Sequence, residues 1–266
     1  EVLIGKHPSK DEVGEVSHFR ALTASLSGTI GLGNIAGVAV AIQIGGPGAI
    51  FWMWITAVFG IATKFFTATL SVLYRETGSD GKPNAGTMYI IKNGLPKYMM
   101  PLAYFFAFSG VIAGLPAFQA NQVVQLTNDL YFPEVENFSY IAGAFLVVIT
   151  AAVVLGGLKR IANVSALLVP FMGGLYLVAV LIAVLLNYQQ FFSALGLIVT
   201  EAFSFDSAVA GGLVAVILTG IKRGAFSNEA GIGTEALIHG AAKTSNPVKQ
   251  GLIAMTGPIF DTLIMC

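Results

Sequence analysis

The sequence predicts an all-α polytopic membrane protein. Two counts and one pattern carry that reading. The 266 residues hold 14 Lys and Arg and 14 Asp and Glu, so only 11% are charged, and mean hydropathy is +0.78. Soluble domains carry about 25% charged residues. The charges are also bunched: none falls within residues 21–63, 98–128, 137–158 or 161–200. A bilayer core needs about 20 apolar residues per helix, so these runs alone have room for about five or six spans. The strict ten-residue alternation of a membrane β-barrel is missing.

The same composition excludes other classes. Net charge is zero and no basic block could track a nucleic-acid backbone. The single cysteine, Cys266, allows neither an internal disulfide nor a thiolate cluster, and His7, His18 and His239 lack paired-ligand spacing. No cofactor is expected. The chain opens at Glu1 and stops inside the apolar run 252–266. It is therefore expected to be an internal piece of a longer protein, and a stop codon directly after Cys266 would refute that.

Taken in order, residues 1–20 are polar. Span one covers about 21–44 and is interrupted by Gly28, Gly31 and Gly33. Gly45-Gly46-Pro47 makes a turn, since Pro suits a first helical position. Span two runs from Pro47 to about Tyr74, with Phe51, Trp52 and Trp54 placed as interfacial aromatics. A polar loop, 75–98, precedes span three, which reaches about Leu126 and contains Gly110, Gly114 and Pro116. Span four is Phe138 to Gly156, and span five runs from the 157–163 connector to about Leu186. Two weaker segments, 191–205 and 209–221, precede a polar stretch over 222–249 and a last, cut-off run from Gln250. That makes about eight spans in one transmembrane domain over 1–266.

Lys and Arg collect in cytoplasmic loops. Alternating the spans puts 1–20, 75–98 and 157–160 on one side with nine basic residues, and none in the opposite loops at 127–137 and 187–190. Residues 1–20 are therefore expected in the cytoplasm. If 191–205 and 209–221 each cross, Lys222, Arg223, Lys243 and Lys249 emerge outside; if they form one kinked span, those four stay inside.

Span one departs most from a plain lipid helix. Each interior Gly costs up to about 1 kcal/mol relative to Ala, and Gly28-Thr29-Ile30-Gly31-Leu32-Gly33-Asn34 gathers three within six positions. Close helix packing through small residues would also use such spacing. A break at membrane depth, however, is stable only where it is buried in protein or lines a wet cavity, and transporters use such breaks to bind substrate and ion. The segment 191–221 is interrupted as well, at Thr200-Glu201-Ala202-Phe203-Ser204-Phe205-Asp206 and at Gly211-Gly212. Two interrupted segments in matching places point to an inverted repeat, which requires two crossings there.

The runs Ser17-His18-Phe19-Arg20-Ala21-Leu22, Thr29 to Ala39 and Gly45 to Trp54 resemble the alanine or glycine:cation symporter family, as does Lys222-Arg223-Gly224-Ala225-Phe226-Ser227-Asn228-Glu229-Ala230-Gly231. Ala241-Ala242-Lys243-Thr244 and Gln250-Gly251-Leu252 extend the likeness, which covers essentially the whole chain. The resemblance implies a LeuT-like 5+5 inverted-repeat core, incomplete here, with a first repeat over about 17–187 and an unfinished second over about 191–266. It further implies about one helix before Glu1 and three after Cys266, a prokaryotic cell-membrane location, and a unit that works as a monomer when complete. The implied partners are a small amino acid, a sodium ion as co-substrate, and the lipid bilayer.

By that resemblance the broken first helix centres the site. Carbonyls of Thr29, Ile30 and Gly31 are expected to face sodium, and N–H groups near Gly31, Gly33, Asn34 and Ile35 to hold the substrate carboxylate. Gln122 and Gln125, three apart and so on one helix face, are candidates for the substrate ammonium. Phe203 would wall the pocket, and Glu201 is a gate candidate, because a carboxylate at depth is functional by default. Asp261 and Thr262 would add oxygen ligands for sodium. Lys64 is expected to be paired or snorkelling, and Glu229 and His239 to shape a loop or a gate. The implied activity is sodium-coupled uptake of alanine and glycine by alternating access. Proton coupling to another small amino acid stays open. A channel lacks its carbonyl filter or charged ring, and an intramembrane enzyme lacks its catalytic constellation.

Overall fold

The computed structural model describes residues 13–79, 81–114, 117–204 and 212–266. It is a helical multi-pass membrane protein: His18–Gly45, Gly48–Leu73 and Gly157–Leu186 are long and apolar enough to cross a bilayer, and Phe138–Val154 is a shorter apolar helix. Among the described residues, the remaining expected spans are shorter helices.

Helix α1 (His18–Thr29) starts at Ser17, whose hydroxyl accepts the Arg20 N–H at 3.4 Å. It ends where Ile30 turns extended (ψ 114°), and α2 (Leu32–Gly45) begins two residues later, after Gly31. The interruption that the glycines predict is thus real and lies at Ile30-Gly31. After Gly46, at φ 73°, α3 (Gly48–Leu73) runs 26 residues and forms the hub of the molecule. A two-stranded ribbon, β1 (Glu76–Thr77) with β2 (Pro83–Asn84), leads into α4 (Thr87–Gly94). There the Lys92 ammonium donates to Glu76 at 2.8 Å, and this bond holds the exposed Glu76 carboxyl below its ordinary range.

Span three is two helices, α5 (Met100–Ala113) and α6 (Ala117–Tyr131), followed by α7 (Phe138–Val154) and α8 (Gly157–Leu186). Phe105, Val147, Leu168 and Leu181 on these helices stay exposed, as lipid-facing side chains do. Helix α9 (Tyr188–Glu201) follows α8. Phe203 follows it and stacks edge-on with Phe51 and Trp52 at the start of α3, while the Trp52 indole N–H donates to the Ala202 carbonyl at 3.0 Å. The predicted interruption over 200–206 therefore begins here, and its remainder, with Gly211, lies outside the described residues.

The structure corrects the end of the next segment. Helix α10 runs from Gly212 to Ser227, six residues past Ile221. Lys222 and Arg223 do not terminate it, because Lys222 points outward while the flanking Gly220 and Gly224 bury against α3. A Cβ on Gly220 would stand 2.5 Å from the Ala49 carbonyl oxygen and from Trp52 Cβ, and one on Gly224 2.9 Å from Thr56 Cβ. Small residues four apart let two backbones touch. The polar stretch is likewise structured: α11 (Glu235–Gly240) and α12 (Pro247–Ala254) pack on α3, and a π-helix (Ile259–Met265) ends the chain. The π form widens the backbone, and such turns cluster at functional sites.

One residue straps the ends together. Arg75, just past α3, donates to the carbonyls of Val13, Gly240, Ala242 and Thr244 at 2.6–3.0 Å. The arm below α1 is further held by Glu15 N–H to Ala241 O and Lys243 N–H to Val16 O, each 2.8 Å. Arg75→Gln strands several of these carbonyls. A charge-assisted bond is worth about 1.5–3 kcal/mol, so a loss of about 3 kcal/mol is expected as a lowered unfolding midpoint in detergent. An unchanged midpoint would show that the strap adds nothing.

Candidate functional site

The break in span one forms its site around Asn34. Gly31 has no side chain to cap α2, so Asn34 folds back and its Oδ1 accepts the Gly31 N–H at 2.9 Å. Its Nδ2 then points into the protein and donates to the Asp261 carboxylate (2.8 Å) and carbonyl (2.9 Å). Ser227 Oγ and Cys266 Sγ lie 3.3 and 3.4 Å from the same nitrogen. One amide thus caps α2 and also ties it to Asp261.

Asp261 is the focus of the donors. Besides Asn34, the hydroxyls of Ser227 and Thr262 each donate to its Oδ2 at 2.9 Å, and Asn228 Nδ2 reaches Thr262 Oγ1 at 3.4 Å. Asn34, Asn228, Asp261 and Thr262 are all at most 2% exposed. A buried carboxylate survives only when its lone pairs are satisfied, and three side-chain donors do that here. The oxygens gathered at this point, from a carboxylate, two hydroxyls and a backbone carbonyl, suit a hard cation such as sodium. Among the described residues, no three His, Cys, Asp or Glu side chains gather as for a transition metal.

A second helix break faces the first. Helix α10 stops at Ser227, the chain passes through Asn228 to Thr234 without helix, and α11 resumes at Glu235. Glu229 sits there at φ 55°, a conformation uncommon for a side-chain-bearing residue. Its Oε2 accepts from Thr234 Oγ1 at 3.1 Å, and its Oε1 comes within 2.9 Å of where a Cβ on Gly28 would be. Gly28 is two residues before Ile30, so the breaks lie side by side.

The predicted site residues divide accordingly. Asn34, Asp261 and Thr262 come together. Thr29 is buried close by, its hydroxyl donating to the Leu26 carbonyl at 3.3 Å, while Ile30 and Gly31 form the break itself. The N–H groups of Asn34 and Ile35, expected to hold a carboxylate, instead donate to the Gly31 carbonyl at 3.2 and 3.4 Å, and the Ile35 side chain is exposed. Helical closure accounts for this, because the first turn of α2 begins at Gly31 rather than after Asn34. Open space adjoins Gly31 and Gly33, where a Cβ would meet nothing within 4 Å. Gln122 is half-buried, and Gln125 lines a groove of about 900 Å³ between α6 and α7; α6 packs chiefly on α7, so neither amide reaches Asn34 here. Phe203 belongs to the aromatic group at α3, and Glu201 ends α9 beneath Gly48. Lys64 is fully buried in the middle of α3, with its ammonium near Gly257.

Sequence reasoning missed Ser227 and Asn228. The signal was available in Ser227-Asn228-Glu229-Ala230-Gly231, polar residues and a glycine directly after an apolar helix, the composition that marked the first break.

The chain is similar to known proteins along its whole length. A family profile described as the sodium:alanine symporter family matches residues 1–266. The sodium/alanine symporter AgcS of Methanococcus maripaludis is 42% identical over 271 residues, covering 100% of this chain and 59% of that protein. The amino-acid carrier protein AlsT of Bacillus subtilis is 36% identical, covering 99% and 56%. A sodium/proton-dependent alanine carrier protein of a Bacillus species is 34% identical, covering 99% and 57%. The chain therefore spans somewhat more than half the length of the curated relatives it matches.

Proposed function

Since the chain belongs to the sodium:alanine symporter family, we propose that it forms the ion- and substrate-binding part of a secondary transporter that moves a small neutral amino acid with sodium. The observation that carries the reading is the Asn34–Asp261–Ser227–Thr262 cluster between two helix breaks. Sodium takes the Asp261 and Thr262 oxygens, with carbonyls near Thr29 to Gly31. The substrate carboxylate lies against the glycine-lined start of α2, where a helix N-terminus favours an anion. Glycine at 31 and 33 leaves no side chain between that backbone and the ligand.

A LeuT-like inverted repeat accounts for the two interrupted segments: span one, α1–α2, and the segment 191–221 take equivalent places in it, and alternating access rocks one bundle against the other. Residues before α1 then lie in the cytoplasm of a prokaryotic cell, as the Lys and Arg distribution indicates. By linkage, sodium and substrate tighten each other by the same factor.

Uptake of labelled alanine and glycine into vesicles holding the protein that carries this chain tests the reading. Accumulation is expected only with an inward sodium gradient. Equal accumulation without one would overturn it.

A further inference from the structure

Three buried side chains that the proposed site does not use form one hydrogen-bonded line. His18 Nδ1 lies 2.6 Å from Gln250 Oε1, and Gln250 Nε2 lies 2.6 Å from His239 Nδ1. Gln250 and His239 are 0% exposed and His18 is 8% exposed. The line ties α1 to α12 and α11. It sits at the start of α1, about 18 Å from the helix break at 1.5 Å per residue.

Amide chemistry limits how many protons this line can hold. A carboxamide oxygen only accepts and its nitrogen only donates. One imidazole must therefore present a hydrogen at Nδ1 and the other a bare Nδ1. An imidazolium carries hydrogen on both ring nitrogens, so His18 and His239 cannot both be charged while the line is intact. With the amide as placed, His18 donates and can be charged, whereas His239 accepts and keeps its hydrogen on Nε2. Turning the amide over exchanges the two roles.

The inner end of the line carries no further hydrogen bond. His239 Nε2 and Glu235 Oε2 are both buried without a hydrogen-bond partner. Four residues apart on α11, they share one helix face. The other Glu235 oxygen accepts from Thr67 Oγ1 at 2.9 Å. Lys64 on α3 acts electrostatically on His239, and on Glu229 and Asp261 beyond it. Arg75 binds the Gly240 carbonyl at the end of α11. Glu15 on the arm and Lys249 on α12 are half-exposed, while Arg20 on α1 and Lys159 on α8 face outward.

We propose that His18, Gln250 and His239 form a binding site for one proton, separate from the Asn34–Asp261 cluster. The proton enters from solvent at His18, the less buried ring. It rests there, while His239, fully buried and acted on by Lys64, keeps its ring neutral. A second proton breaks the line and frees the start of α1 from α11 and α12. The site rests on the symporter reading, because it sets how transport depends on pH.

The test is sodium-driven alanine uptake by the protein carrying this chain, at a fixed sodium gradient and membrane potential, from pH 5.5 to 8.5. Wild type is expected to change at least about threefold with the slope of one proton. His18→Gln and Gln250→Leu are each expected to flatten the profile. Sodium-driven uptake that is insensitive to pH in wild type, or profiles unchanged in both variants, would overturn the proton site. Absence of sodium-driven uptake in wild type would instead remove the symporter reading beneath it. Nitrogen-15 histidine spectra of the wild type supply a check without variants: both rings charged in the folded protein would overturn the site.

Discussion

Asp261→Asn is expected to abolish sodium-stimulated amino-acid uptake while leaving the protein in the membrane. Asp261 receives hydrogen bonds from Asn34, Ser227 and Thr262. Asparagine keeps the volume but exchanges one accepting oxygen for a donating NH2. At least one of three buried donors then faces another donor, and leaving a buried polar group unmatched costs about 1–3 kcal/mol. The negative charge that would offset a bound cation is lost as well. A combined loss of about 3 kcal/mol corresponds to roughly a hundredfold weaker apparent sodium affinity. Uptake measured against sodium concentration reads this directly, with Thr262→Val as a milder companion that removes one hydroxyl. A sodium dependence left unchanged in Asp261→Asn would place the ion elsewhere.

Gly220→Val is expected to have the largest effect on folding. At 2.5 Å from the Ala49 carbonyl and Trp52 Cβ, an added Cβ meets backbone on one side and a side-chain root on the other. Neither can rotate away, so α10 must separate from α3. Overpacking costs about 1–3 kcal/mol where side chains can adjust, and here the upper end or more applies. Separation of α10 also withdraws Ser227 from Asp261, because Ser227 is two turns further along the same helix. Folded yield and thermal midpoint should both fall, and residual protein should transport poorly. Gly174→Val on α8 is the control: nothing lies within 4 Å of its Cβ position, and surface changes of that kind stay within about 0.5 kcal/mol. Equal midpoints for the two variants would mean that the α3–α10 contact is looser than the geometry indicates.

Most of the membrane architecture was legible in the sequence, because burial in lipid acts residue by residue. Uncharged runs of sufficient length located α3 and α8, and the glycines around Gly31 located the first break to within two residues. The second break was harder to locate. The charged pair Lys222-Arg223 reads as the end of a span, yet long basic side chains can lie along the outside of a helix that continues between buried glycines. Gln122 and Gln125 are polar within an apolar helix, and that pattern alone does not say which neighbour receives them; the fold turns Gln125 toward α7.

The sequence by itself therefore determined that the chain lives in a membrane, that its first long span must open at Gly31, and which family it resembles. The first two follow from the local cost of charge in lipid and of glycine in a helix. The tertiary structure alone decided that Asn34 meets Asp261, 227 positions away, and that Ser227 joins them. It also decided that His18 is tied through Gln250 to His239. Such pairings depend on how helices cross. A crossing is set by where two surfaces can touch, as at Gly220 and Gly224, and no periodicity along one chain segment records the partner it will meet.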